Sequence, residues 1–309
     1  MAAYGSRRPK FASVLRSVLA SAPLVALPLY PAAAGQDAAA TSSAASATPP
    51  AASKDQAENT GDDFARPVNV IQLYDQYVTA PRSGGQPGTI REVTTETLKL
   101  RADQRIDLPG PWKLALREDL PFEAKNPINA ANPSGDYVYG VGDVHAQAAL
   151  IREIDARWTI GFGSRLVAPT GDASLGLGSG KWRIMPVIGV RYALPEISDG
   201  SYFEPQLWYD QSFAGGLSKQ NISNLRFAPV WRIALPDRWF VTFYPSPDIR
   251  VNYGDPITGQ TGRLFLPLDF QLGRSLANNL TVSIEVAVPI IRDYPVYDFK
   301  TAARLNLTF

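Results

Sequence analysis

The sequence predicts an all-β protein, a transmembrane antiparallel up-and-down β-barrel of about twelve strands. Three observations carry this. The carboxy-terminal stretch Tyr297 to Phe309, YDFKTAARLNLTF, sets apolar odd positions against mostly polar even ones. Such a period of two marks a strand with one greasy face, and at about ten residues it is long enough to cross a bilayer at a tilt. Similar strands recur along the chain, longer than the roughly five or six residues usual in soluble sheets. The breaks between them alternate short turns with longer loops, the arrangement of bacterial membrane barrels.

The chain has 309 residues, no cysteine, one histidine and a formal net charge of +1. Without cysteine, disulfides, thiolate metal sites and cysteine nucleophiles are excluded. The near-neutral balance argues against a nucleic-acid partner. Beyond the amino-terminal region no run of about eighteen uncharged apolar residues occurs, so no later transmembrane helix is expected. A mean hydropathy of -0.12 resembles that of a soluble protein. Alternating lipid-facing and lumen-facing residues hide an apolar band in that average.

Residues 1–34 read as a secretory signal. Arg7, Arg8, Lys10 and Arg16 precede apolar Val18 to Leu29, and Ala32-Ala33-Ala34 stand before Gly35. A membrane-anchoring helix is the weaker alternative, because the apolar stretch is short and holds Pro23 and Pro28. Residues 35–66 are expected to form a disordered periplasmic tail. Gln36 to Asp62 is rich in Ala, Ser, Thr and Pro, has no large apolar residue, and cannot offset its chain entropy by burial. The barrel is expected to span residues 67–309.

Within the barrel, Trp182, Ile184, Ile188, Val190 and Tyr192 share one face while Lys181, Arg183 and Arg191 share the other. Leu225, Phe227, Trp231 and Ile233 alternate with Arg226 and Arg232, and Leu264, Leu266, Leu268, Phe270 and Leu272 with Asp269 and Gln271. Leu280, Val282, Ile284, Val286 and Val288 are set against Thr281, Ser283 and Glu285. Short turns are expected near Gly110, Glu153, Ile197, Asp237 and Asn278, and longer loops near Gly85, Asn129, Leu175, Lys219, Gly259 and Asp293. Trp112, Trp158, Trp182, Trp231, Trp239, Tyr192, Tyr253 and Tyr297 sit near strand ends, as an aromatic girdle would. Trp208 has inward parity. Three places fit badly. Val68 to Val78 alternates poorly, Glu118 falls on an outward position and calls for a bulge, and Trp239 to Tyr253 holds Pro245 and Pro247 and is too long for one regular strand.

Pro169-Thr170-Gly171-Asp172, followed by Leu177-Gly178-Ser179-Gly180-Lys181, is glycine-rich but lacks P-loop spacing, with Trp182 where Ser or Thr should follow the lysine. An external loop is expected there. His145 cannot build a multi-imidazole metal site alone, and no metal or other cofactor is expected. Its inward parity with Asp143 and Gln147 suits a lumen-facing polar residue better than the base of a lipid hydrolase. The inward charges are the informative set, with Arg183, Arg191, Arg226 and Arg232 opposite Glu204 and Asp210 as lumen-lining candidates. They can form an ion-pair network filling the lumen, or a basic conduit that draws in anions. Strand heights place Glu204 with Arg191 and Arg232, and Asp210 with Arg183 and Arg226.

The PTGD stretch, the glycine-rich LGSG and the upstream Gly142-Asp143 resemble the outer-membrane family known as the putative MetA-pathway of phenol degradation. The resemblance covers roughly residues 90–309. It implies an outer-membrane barrel associated with uptake of small, often aromatic, compounds. The terminal Phe309 likewise resembles the signal by which the barrel-assembly machinery recognises its clients. The function expected is a channel or transporter-like barrel for small, anionic or aromatic molecules. Its partners would be outer-membrane lipid, lipopolysaccharide, the assembly machinery and the solute. A lipid-acting enzyme and a structural barrel with a plugged lumen are the alternatives.

Overall fold

The computed structural model describes residues 61–80, 93–257 and 259–309. The signal expected in residues 1–34, the tail in 35–60 and the loop near Gly85 lie outside the described residues. The strand segments are β1 (Val70–Ala80), β2 (Val93–Asp107), β3 (Trp112–Lys125), β4 (Val138–Val141), β5 (Val144–Glu153), β6 (Trp158–Ala168) and β7 (Lys181–Ala193). They continue as β8 (Tyr202–Gly215), β9 (Ser223–Ala234), β10 (Trp239–Phe243), β11 (Ile249–Asn252), β12 (Leu264–Ala277), β13 (Leu280–Arg292) and β14 (Phe299–Thr308).

Every pairing is antiparallel, and β1 closes on β14 from Val70↔Thr308 to Thr79↔Phe299. β4 continues β5 along β3, and β10 and β11 both lie between β9 and β12. Each of these is one interrupted strand, so the closed barrel has 12 strands. Closure matters because an open sheet edge has no hydrogen-bond partners in lipid.

Alternation sorts the side chains as the sequence requires. Leu268, Phe270 and Leu272 are 44%, 41% and 44% exposed, while Asp269 and Gln271 between them are fully buried. An outer wall so uniformly apolar far exceeds a soluble monomer's tolerance; hydrocarbon is its solvent. The turns after β2, β5, β9 and β12 hold two to four residues and the described loops at the other end hold six to twelve, but the turn expected to be short near Ile197, after β7, runs to eight. Gly110 sits in the first turn with φ 73, a conformation that costs glycine nothing. Trp158, Trp182, Trp231, Trp239 and Tyr253 are exposed on the wall, with Trp158 resting on Tyr192 at 4.6 Å between ring centroids.

Several expectations are corrected. Tyr297 is not in the girdle. β14 starts only at Phe299, and the preceding loop turns Tyr297 inward against Phe265, ring centroids 4.7 Å apart. β1 is regular despite its sequence, with Val70, Gln72 and Tyr74 buried and Ile71, Leu73 and Tyr77 exposed. Its inner face is partly apolar because Gly61 packs on Val70. β3 needs no bulge at Glu118, which is simply exposed on the outer wall. The irregularity lies across the ladder, where β3 goes from Asp119↔His145 to Phe122↔Val141 and the extra residue falls at Gly142–Asp143. The Trp239 to Tyr253 arm breaks as its prolines suggest, leaving the wall after Tyr244 (φ 52) and rejoining it at Ile249. The end of the expected tail is also overturned: Asp63, Phe64 and Ala65 are 8%, 8% and 1% exposed, folded inside the barrel.

Candidate functional site

The lumen holds two inward segments with a cavity between them. The first is residues 61–66, Gly-Asp-Asp-Phe-Ala-Arg. Asp63 accepts the amides of Ala65 and Arg66 at 3.1 and 3.0 Å, a local turn typical of aspartate. Its other oxygen accepts Arg191 Nε at 2.8 Å. Glu204 accepts the Ala65 amide at 3.3 Å, and Gln72 donates to Asp62 at 3.1 Å. The Phe64 ring stands edge-on to Trp208, 6.3 Å between centroids. It lies over Gly161 and Gly189, which face each other across the β6–β7 ladder. A Cβ on Gly161 would come within 2.7 Å of the ring and one on Gly189 within 3.1 Å. The gap beside this segment is about 20 Å³, room for one water.

The second segment is Tyr244 to Asp248. Asp248 accepts Lys300 Nζ at 2.6 Å and Arg250 at 2.7 Å, with Arg226 3.5 Å away. Arg226 also donates to the Pro247 carbonyl at 2.9 Å. Lys300 reaches Asp269 at 2.9 Å and pairs with Glu285, which pairs in turn with Arg304. Asp248, Asp269 and Glu285 bring oxygens within 4.8 Å of one another, a set able to hold a cation. The Lys300 ammonium is that cation here.

Between the two segments lies a cavity of about 330 Å³. Its walls carry eight lysines and arginines, among them Lys99, Arg101, Arg117 and Arg165, against only Asp62 and Asp248. Asp119 behind the wall holds Arg101 at 2.7 Å and stands 3.8 Å from Lys99 and 3.6 Å from His145 Nδ1. Arg165 is braced by Gln147 at 2.7 Å and lies over the Trp208 ring at 4.9 Å. The lining of the cavity is therefore basic, although carboxylates set behind it, such as Asp103 at 2.7 Å from Arg117, offset part of the charge. Phe64, Tyr74, Trp208 and Tyr297 add aromatic surface to it.

The sequence-derived candidates fall in three places. Arg183 and Arg226 do flank Asp210, at 2.8 and 3.9 Å, and His145 lines the cavity. Glu204 stands opposite Arg191, beside the Tyr192↔Phe203 pair, as its height requires, but Arg191 takes Asp63 as its ion-pair partner, and Arg232 lies over the Phe240 ring at 3.7 Å. Asp143 is not a cavity residue. It accepts the Gly171 amide at 3.2 Å and the Ser179 amide and hydroxyl at 2.8 and 2.7 Å, while Thr170 donates to the Gly142 carbonyl at 2.7 Å. Pro169-Thr170-Gly171-Asp172, the LGSG stretch and Gly142-Asp143 are thus brought together as a clasp at the long-loop end. Within it the Ser174 hydroxyl and neighbouring amides hold the Asp172 carboxyl below its usual range. Arg117 and Asp119 were missed although they flank the outward Glu118 and so share inward parity. Asp62, Asp63, Phe64 and Asp248 were missed because they lie on no strand.

No family model and no curated protein matches the chain. Among solved structures, the KdgM porin is 9% identical, covering 78% of this chain and 99% of its own, with a TM-score of 0.42. The NanC porin is 12% identical, covering 78% and 98%, with a TM-score of 0.43. The translocator domain of the autotransporter NalP from Neisseria meningitidis is 10% identical, covering 81% and 91%, with a TM-score of 0.44.

Proposed function

We propose that this barrel is a channel of a Gram-negative outer membrane that passes small anionic solutes. The cationic cavity between residues 61–66 and 244–248 carries the reading. Its excess of positive charge would concentrate carboxylates within the lumen. The resemblance of the PTGD and LGSG stretches to the phenol-degradation family adds aromatic compounds to the solute range. Residues 1–34 would serve as the export signal, the apolar wall would meet lipid and lipopolysaccharide, and Phe309 would be read by the barrel-assembly machinery. Deleting Phe309 is expected to lower the amount of heat-modifiable folded protein in the outer membrane; unchanged amounts would remove that role.

A closed, structural barrel is the second reading, favoured by the burial of residues 61–66. Planar-bilayer recordings separate the two. A salt gradient across the purified protein is expected to give a reversal potential on the anion side. Asp210→Asn, which frees Arg183 while Arg226 keeps Asp248, should push it further that way. Glu204→Gln should move it less, since Arg191 keeps Asp63. Absence of conductance even after removal of residues 61–66 would favour the structural barrel, and a cation preference would overturn the anion reading.

A further inference from the structure

We infer that the seat of Asp63 and Phe64 is a binding site for small aryl carboxylates, and that such a solute displaces residues 61–66 as it binds. This rests on the anion-channel reading and names its solute class. The chain's own segment places a carboxylate and a phenyl ring side by side in the lumen, and the lumen is shaped for both.

The ring's place is built into the wall. Gly161 and Gly189 both have ordinary negative-φ or extended backbone, so no turn requires glycine at either position. What requires it is the ring: side chains there would stand 2.7 and 3.1 Å from Phe64. Trp208 supplies an edge-on aromatic neighbour. The carboxylate's place is Arg191, 2% exposed and held over the Tyr202 ring at 4.5 Å. Asp63 takes only its Nε, and Nη1 is left buried without a partner. The backbone turn through Ala65 and Arg66 limits how Asp63 can approach. A free carboxylate has no such tether and can engage two guanidinium N–H groups, the stronger arrangement. Phe64 and Trp208 both border the cationic cavity, so a solute drawn there meets the seat directly.

The tether sets the affinity scale. A segment on a short linker competes at an effective concentration on the order of millimolar, so solute must reach about that level to displace it. The cysteine-free chain allows a clean test. In Ala65→Cys, a position 1% exposed, alkylation by an aqueous maleimide should be slow. With millimolar 3-phenylpropanoate it should accelerate about tenfold, the effect of a matching shift in plug population. Propanoate and 3-phenylpropanol, each carrying half the chemistry, should leave the rate unchanged. Open probability of the unmodified protein should rise with 3-phenylpropanoate in parallel. Equal acceleration by propanoate would overturn the aryl specificity, and no acceleration by any of the three would overturn the site. Removal of residues 61–66 distinguishes the two levels. A truncated barrel that conducts anions while 3-phenylpropanoate leaves Ala65→Cys unaffected sinks this inference alone; a truncated barrel that stays closed sinks the channel reading.

Discussion

Lys300→Met is expected to cost the barrel about 3–5 kcal/mol, the usual penalty for stripping one partner from a buried ion pair. The number applies because Lys300 is 2% exposed and is shared by three carboxylates from three other parts of the chain. Without the ammonium, Asp248, Asp269 and Glu285 repel one another in a largely buried place where water screens them poorly. Arg304 and Arg250 still reach Glu285 and Asp248, but among the described residues no other ion pair holds Asp269. The temperature at which the folded band disappears in heat-modifiability gels should fall steeply. Adding Asp269→Asn should recover part of the loss, since it removes the least compensated carboxylate. An unshifted transition in Lys300→Met, or no recovery in the double variant, would show that the cluster does not hold the barrel together.

Gly161→Val should leave the barrel folded and unseat residues 61–66. The added Cβ alone would fall 2.7 Å from the Phe64 ring and 3.3 Å from Ile151. Overpacking of this kind costs typically about 1–3 kcal/mol. The least anchored element gives way, and that is the short segment held by Asp63 and the Ala65 amide rather than a paired strand. Recordings should show a channel open without solute and no longer responsive to 3-phenylpropanoate. Adding Phe64→Ala should restore stability without restoring closure. A closed Gly161→Val channel would mean that the ring does not occupy the slot when the protein is in lipid.

Parity is a local property, and that is why so much of the barrel could be read from the chain. The inward side of Arg183, Asp210, Arg226, Asp269 and Glu285 follows from counting by two along strands that must keep one face in lipid. The turn positions and the break between Pro245 and Pro247 were legible for the same reason: proline cannot donate to a ladder and glycine accepts turn geometry. The sequence by itself therefore determined a closed membrane barrel with a charged interior.

Tertiary structure decided what occupies that interior. Residues 61–66 look like tail, since Phe64 is one ring beside small and polar residues. Its burial depends on two glycines about a hundred residues away that only the β6–β7 register places opposite each other. Asp63 meets Arg191 across 128 positions of sequence, and this contact takes the guanidinium that stands opposite Glu204. Lys300 meets carboxylates from the inward segment, β12 and β13. Tyr297 left the girdle because the closing loop, not strand parity, sets its direction. Apart from Lys300 with Asp269 and Glu285, which join strand to strand, these are contacts between strand faces and segments that belong to no strand. A period of two carries no information about them, because the partner's position is fixed by the path of the whole chain through the lumen.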